Sequence, residues 1–540
     1  MGKAKGGLPR NLADLFEDVR IFECVGQWQE EIIRFLGTEP EQAPTLRVIF
    51  NQVETELGAR TAVVEPYVST DWSDEYQAWY SRAFSDLPRL TYRIHFFAGI
   101  GDDSRPIERG DLAQLGSIAE RNPSAYLGYS VVRPLLPVTV SETILANPYR
   151  AQDDRYVPCV ARFRSHILGH ELAVHAMPYI QQEEVVGVCA EANLWMQARY
   201  LHTIGETSRY RPSEMHDLAT VNSPASPTRL GLTSEQVFTA LNSANRHADL
   251  LTPFDANDAL SAIHSYVSSG IPVTVGVGEQ VEEHAVTIVG AAYSKNDNGI
   301  GDSDSIAKFV DAFVVHDDNT GPYQILQITP HEIEHTEAGS FERLGLGDKN
   351  VFWCAAALPP RVQLKDFDVR AVVRELLGNS LVEFGGLLGE LPNYWTQAEL
   401  EGLLTRTYLK RSDAFKIDLL PKPNPSGGAA FVPRDSVAVA LYWRALLPRY
   451  VWVAELYEES GWKGNPAGSK IVGELLLDPT AHHSNVNSCL LAAHFRGRML
   501  MRENRSIWPR GEALLTDPRA WNYGHRLSRK QYSPFVRRHS

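Results

Sequence analysis

Two periods of apolar residues alternate along this chain, and each predicts a different element. Between Leu12 and Leu36, apolar residues recur at helical spacing and predict two helix-like stretches. TAVVEPYV (61–68) is a β-branched run that ends near a proline and reads as a strand. SDEYQAWYSRAF (73–84) reads as an aromatic-rich helix. In RLTYRIHFF (89–97), Leu90, Tyr92, Ile94 and Phe96 alternate with Thr91, Arg93, His95 and Phe97, as in a strand. LGYSVVRPL (127–135) predicts another strand.

From residue 151 the pattern is better punctuated. VPCVARF (157–163) and HILGHELAVHAMPYI (166–180) read as strands, and VCAEANLWMQARYLH (188–202) as a helix with Ala190, Leu194, Ala198 and Leu201 on one stripe. MHDLATVNSPASPTRLGL (215–232) reads as an exposed loop. Thr233 then opens a helix, with Gln236 completing a capping box. A second helix starts near Asp255 and stops at Gly270-Ile271-Pro272. Three strands follow: PVTVGVG (272–278), HAVTIVGAAY (284–293) and FVVHD (313–317). Further on, DSVAVALYWRALL (435–447) predicts a helix, VWVAELY (451–457) and KIVGELLLD (470–478) strands, and PKPNPSGG (421–428) a loop.

A chain of 540 residues exceeds one hydrophobic core. Three regions are expected: a mixed α/β segment over 1–150, a better-punctuated domain over 151–345, and a second mixed α/β segment over 346–540. With 44% hydrophobic and 22% charged residues, long disorder is not expected. A net charge of -14 argues against a general nucleic-acid binder, which needs a basic face. The five Lys/Arg of HRLSRKQYSPFVRRHS (525–540) read as a solvated tail. No apolar run of membrane-spanning length appears, so no membrane partner is expected. The N-terminus lacks the apolar core of a signal peptide, and Gly6 stands where a myristoylation signal wants Ser or Thr. The cysteines (Cys24, Cys159, Cys189, Cys354 and Cys489) are odd in number and far apart. That pattern fits reduced thiols in the cytoplasm better than a disulfide framework.

One of those thiols carries the chemistry of interest. Cys189 falls at the first turn of a predicted helix, where free N–H groups and the positive end of the helix dipole favour a thiolate. The same N–H groups can hold an oxyanion. Taken alone, Cys189 is better explained as a small buried hydrophobe. His284 opens the apolar strand AVTIVG after a polar turn, and Asp317 ends the next strand before Asp318-Asn319-Thr320-Gly321. A carboxylate there can accept from a histidine ring and fix its tautomer. Each has a plain explanation singly, as a turn histidine and a turn-forming acidic cluster. The ordered set of helix-start Cys, strand-start His and strand-end Asp is harder to dismiss.

MPYIQQEEVVGVCAEANLWMQARYLH (177–202), GIPVTVGV (270–277), HAVTIVG (284–290) and DDNTGPY (317–323) stand in the order seen in bacteriocin-processing-peptidase-like domains, and this part of the chain resembles that branch of the papain-like cysteine peptidases. The resemblance covers roughly a third of the chain. It implies Cys189 as nucleophile, His284 as base, Asp317 as orienting residue and Gln182 as the oxyanion side chain. The sequence departs from the family pattern at two places. The family's glutamine stands six residues before the cysteine, whereas Gln182 is seven before and Gln181 eight, and Ala190 replaces the glycine common after the cysteine. Asp318 or Asn319 can stand in for Asp317, because the turn register is open.

Two other clusters compete. HEIEH (331–335) matches the zinc-peptidase pattern H-E-x-x-H, with Glu332 and Glu342 available as base and third ligand, but following glycines make its helix short. A short acidic surface helix explains it better. His482, His483, Cys489 and His494 fit no standard zinc spacing. The expected fold is therefore α+β: a papain-like domain, its nucleophile helix packed on an antiparallel sheet that carries His and Asp, between mixed α/β flanks. The expected activity is that of a cysteine peptidase working on a protein or peptide substrate, with no cofactor and no metal. An acyltransferase or transglutaminase-like enzyme on the same fold, or a catalytically silent partner-binding protein, is the alternative.

Overall fold

The computed structural model describes residues 19–81, 87–99, 105–150, 152, 154–182, 189–221, 231–252, 255–279, 284–336, 339–380, 400–420, 436–466, 468–469, 471–481, 486–495, 498–503 and 506–510. The N-terminal 18 residues, the 421–428 loop, the basic tail, His482 and His483 lie outside them. The fold is α+β, with helices set against antiparallel sheets. The residues group into two compact units: 1–148 with 161–232 and 316–324, and 149–160 with 233–315 and 325–540. Neither unit coincides with the consecutive segments 1–150, 151–345 and 346–540. Residues far apart in sequence share a unit because strand pairing and side-chain burial join them.

The first unit is built on a seven-stranded sheet. Its strands are β1 (Arg20–Glu23), β2 (Thr61–Tyr67), β3 (Thr91–Phe97), β4 (Tyr126–Val132), β5 (Val140–Ala146), and, after the short β6 (Arg155–Tyr156) of the other unit, β7 (Ala161–Ile167) and β8 (His170–Tyr179). Their order is β1-β2-β3-β4-β5-β8-β7, and every pairing is antiparallel. Part of the stretch expected to be helical within 12–36 is thus strand β1, and among its described residues only Trp28–Phe35 is an α-helix. Ala161–Tyr179 is a hairpin that turns at Leu168-Gly169, both with positive φ, while residues 157–160, also expected in a strand, are in none. Strand β7 alternates buried and exposed residues, so one of its faces is packed. Strands β4 and β5 are buried along their whole length. Trp28 packs on Phe50 of the helix Pro44–Thr55, and Phe50 on Phe96 of β3, with ring centroids 5.0 and 6.1 Å apart.

A glycine is required in β4. Gly128 has φ +116°, and a Cβ there would lie 1.9 Å from the Ile144 carbonyl oxygen across the β4–β5 pair. Gly128→Ala is expected to cost about 3 kcal/mol or more, because strain and a backbone clash add. Gly37 also has positive φ (+80°) but nothing within 4 Å of its added Cβ, so Gly37→Ala is the matched control, costing about 1 kcal/mol. Thermal unfolding of both variants checks this; equal shifts would refute the clash.

The second unit holds two sheets. Its first is the ring β10 (Val273–Gly278), β11 (His284–Tyr293), β12 (Val310–Asp317), β13 (Gly321–Thr336), β14 (Gly339–Leu346) and β15 (Lys349–Leu358). The order closes because β10 pairs with both β11 and β15, while β9 (His247–Leu251) extends from β15 and β6 from β11. The last residues of β12 and the first of β13 are counted with the first unit. The second sheet runs in simple order through β16 (Leu403–Arg411), β17 (Tyr450–Glu458), β18 (Ile471–Leu477), β19 (Leu490–Phe495), β20 (Arg498–Glu503) and β21 (Ser506–Arg510). The expected capping box is present, Thr233 Oγ1 accepting from the Gln236 N–H and Gln236 Oε1 from the Thr233 N–H. The next helix is capped by Asp255 and ends at Ser268.

The structure corrects two loop and helix assignments. Residues 212–220 are a helix with a Pro start, not a loop. HEIEH lies in β13, paired antiparallel with β14, and not in a helix. The H-E-x-x-H zinc site needs both histidines on one helical face, which a strand backbone does not provide.

Candidate active site

The helix Cys189–Thr203 begins at the expected nucleophile. Its described packing is on β7, β8 and the helix Pro212–Thr220, all within the first unit. The helix is buried on nearly every side, from Ala190 through Leu201. Cys189 itself is half-buried, whereas Cys24, Cys159, Cys354 and Cys489 are buried. None of the five is in a disulfide. Burial pushes the Cys24 thiol up to about 12 and raises those of Cys159, Cys354 and Cys489. Asn193, one turn on, donates from Nδ2 to the Cys189 carbonyl at 2.7 Å.

Gln181 and Gln182 follow β8 and have different fates. Gln181 is consumed by the fold. Its Oε1 accepts from the Val140 N–H at 3.0 Å, its own N–H donates to the Val140 carbonyl, and its carbonyl accepts from Arg133 Nη1 at 2.9 Å. Arg133 is fixed in turn by two hydrogen bonds to Glu75, at 2.9 and 2.7 Å. Gln182 instead donates from Nε2 to Asn319 Oδ1 at 3.0 Å. The glutamine amide that faces the turn after β12 is therefore that of Gln182. Spacing placed both glutamines off the family position, and pairing with Val140 at the start of β5 separates Gln181 from Gln182.

The turn bearing Asp317, Asp318 and Asn319 is anchored in the first unit. The Tyr179 hydroxyl lies 3.2 Å from the carbonyls of Asp317 and Asp318. The Met177 N–H donates to the Tyr323 hydroxyl at 2.9 Å, and that hydroxyl donates to the Leu145 carbonyl at 3.1 Å. Gln52 Nε2 donates to the Pro322 carbonyl at 3.2 Å. His316 is buried between the rings of Tyr179 and Tyr323, and burial lowers its pKa to about 3. It is a neutral packing residue, with Nδ1 3.2 Å from the Pro178 carbonyl.

Within the turn, Asp317 Oδ1 accepts from the Asn319 N–H and Oδ2 from the Thr320 hydroxyl, both at 2.9 Å. Asp318 is fully buried. The two acids thus differ: Asp317 shapes the turn, and Asp318 carries its carboxyl inward.

His284 is placed in the second unit, at the first position of β11, opposite Val277 of β10. It is largely buried, not an exposed turn histidine. β11 is the neighbour of β12, whose last residue is Asp317. Of the expected site residues, the first unit holds Cys189, Gln182 and Asp317, and brings Gln182 to the turn after Asp317. Sequence reasoning missed Arg133, Tyr179 and Glu75, which hold the Gln181-Gln182 segment and the turn. Only the placing of an arginine among the apolar residues of LGYSVVRPL (127–135) hinted at such a role.

Of the second loose cluster, Cys489 and His494 are buried in the second unit. His494 Nδ1 lies 3.6 Å from Glu474 Oε1, and the Tyr442 hydroxyl donates to that same oxygen at 2.7 Å. The chain matches no protein-family model and no curated protein.

Proposed function

We propose that this protein is a papain-like thiol hydrolase that cleaves an amide bond, with Cys189 as nucleophile and His284 as base. One observation carries the reading: of five free cysteines, the half-buried one is the residue that starts a buried 15-residue helix. A cysteine kept for packing is ordinarily buried, like the other four. Gln182, held at the turn after Asp317, is the side chain proposed to meet the oxyanion.

In the proposed reaction His284 takes the Cys189 proton and Sγ attacks the acyl carbon. The C–N bond breaks, the amine leaves with the proton from His284, and a thioester remains. Water then adds, His284 takes its proton, and the acid is released as the thiol re-forms. Asp317 or Asp318 orients the imidazole. Free cysteines suit a reducing compartment, so a cytosolic site of action belongs to the same proposal. Among the described residues, no helix is long and apolar enough to cross a membrane.

The test is cleavage of a proteome-derived peptide mixture, read as new termini by mass spectrometry. Cys189→Ala and His284→Ala are each expected to lose about 10³-fold or more in rate. Asp317→Asn and Asp318→Asn show which acid orients the base. Adding an amine acceptor separates hydrolysis from acyl transfer by product mass. Equal cleavage by wild type and Cys189→Ala would end the proposal.

A further inference from the structure

The first unit contains a partly open cavity of about 30 Å³, whose lining includes Gln182, the side chain proposed for the oxyanion. Three tryptophans and a tyrosine line it: Trp72, Trp79, Trp195 and Tyr80. So does Glu191, two residues past Cys189. Glu191 is 4% exposed, and neither of its carboxylate oxygens has a hydrogen-bond partner. Trp195, one turn further along the helix, also keeps its indole N–H unpartnered, at 1% exposure. An unpartnered buried carboxylate is costly, and such groups in a folded protein call for an explanation.

Among the lining residues, Arg133 and Glu75 offset each other and Glu191 is left over. The lining cation, Arg133, is committed to Glu75 and to the carbonyls of Val140 and Gln181. Outside the lining, His216 Nδ1 stands 3.5 Å from Glu191 Oε2, too long for a good hydrogen bond but within ion-pair range, and Glu191 raises the pKa of this half-buried histidine. Electron-rich rings and one carboxylate are the surroundings that attract an organic cation. A carboxylate acceptor prefers a cation with N–H donors over a quaternary ammonium. Size narrows the choice further. One water needs about 10–15 Å³ of such volume, so this cavity holds two or three heavy atoms. A –CH₂–NH₃⁺ end fits that space, and a planar guanidinium does not.

We propose that this cavity binds the alkylammonium end of a lysine-type ligand, with Glu191 as its counter-ion. Binding does not depend on the thiol chemistry of Cys189.

The test is an NMR titration of the full chain, following the Trp195 indole N–H, assigned with Trp195→Phe. The probes are Nα-acetyl-lysine N-methylamide, its uncharged norleucine analogue, the arginine analogue and n-butylamine. The lysine probe is expected to shift the Trp195 signal saturably. The norleucine probe on wild type, and the lysine probe on Glu191→Gln, are expected to bind about tenfold more weakly or less. The arginine probe is expected to bind more weakly than lysine. Butylamine as strong as the lysine probe would point to a free amine as ligand; a clear preference for the lysine probe would point to a peptide. Cys189→Ala should bind like wild type, so loss of the hydrolase reading leaves this result standing. Equal binding of the lysine and norleucine probes, or no saturable shift with any of them, overturns the proposal and leaves ordered water as the occupant. If Glu191→Gln fails to fold, the wild-type comparison of the two probes still decides.

Discussion

Native protein at pH 7.5 is expected to take up one equivalent of iodoacetamide, on Cys189, while the same protein in denaturant takes up five. The reason is access and protonation together. Cys24, Cys159, Cys354 and Cys489 are buried and burial holds their thiols protonated. With Cys24 at about 12, its thiolate fraction at pH 7.5 is about 1 in 10⁴–10⁵. Cys189 is half-buried at the start of its helix, so the reagent reaches it. Peptide mapping of the native adduct gives the site, and Cys189→Ala should reduce fast uptake to nothing. The selectivity expected is about 10²-fold or more over any other thiol. His284→Ala carries the finer question. If His284 activates the thiol, this variant slows labelling below pH 7 by about tenfold or more and leaves the single-site pattern unchanged. Labelling of Cys24 or Cys354 at the rate of Cys189 would contradict the burial described above.

The second large effect concerns the support of the site. Glu75→Ala is expected to destabilise the first unit by about 3–5 kcal/mol. Arg133 is 2% exposed and loses both of its carboxylate hydrogen bonds in this variant. A guanidinium cannot shed its proton, so the buried charge stays and nothing compensates it. Arg133 also holds the carbonyls of Val140 and Gln181, so its displacement loosens the segment that carries Gln182. Thermal unfolding gives the stability, and limited proteolysis near residue 182 gives the local effect. The pair Glu75→Leu with Arg133→Met removes both charges and should recover much of the loss, because two apolar side chains need no partner. A Glu75→Ala variant within about 1 kcal/mol of wild type would show that the buried pair is not holding the segment.

Much of the local structure was legible along the chain. The helix beginning at Cys189, the capping box at Thr233, the helix from Asp255 and the strands opening at Val273 and His284 all follow from apolar period, capping chemistry and Gly/Pro stops. These signals are short-range. Each is a choice of backbone conformation that a dozen neighbouring residues decide.

Where local signals are weak or conflict, pairing partners decided. HEIEH carries a helix-compatible spelling, yet it forms a strand because β14 pairs with it over a long hairpin. Residues 20–23 form the edge strand β1 because Thr61–Val64 supply a partner. The glutamines at 181 and 182 are identical as sequence. They differ only because Val140 at the start of β5 takes the amide of Gln181 and the turn after Asp317 takes that of Gln182.

The sequence by itself therefore determined many of the elements and singled out the candidate residues Cys189, His284 and Asp317. Tertiary structure alone decided which thiols are buried, which acid turns inward and which glutamine is free to face the turn. It also gathered residues 161–232 and 316–324 with the N-terminal segment into one unit. The physical reason is range. Backbone preference is settled by near neighbours, whereas burial, charge pairing and sheet edges depend on residues brought together from up to hundreds of positions away, as when Met177 donates to Tyr323.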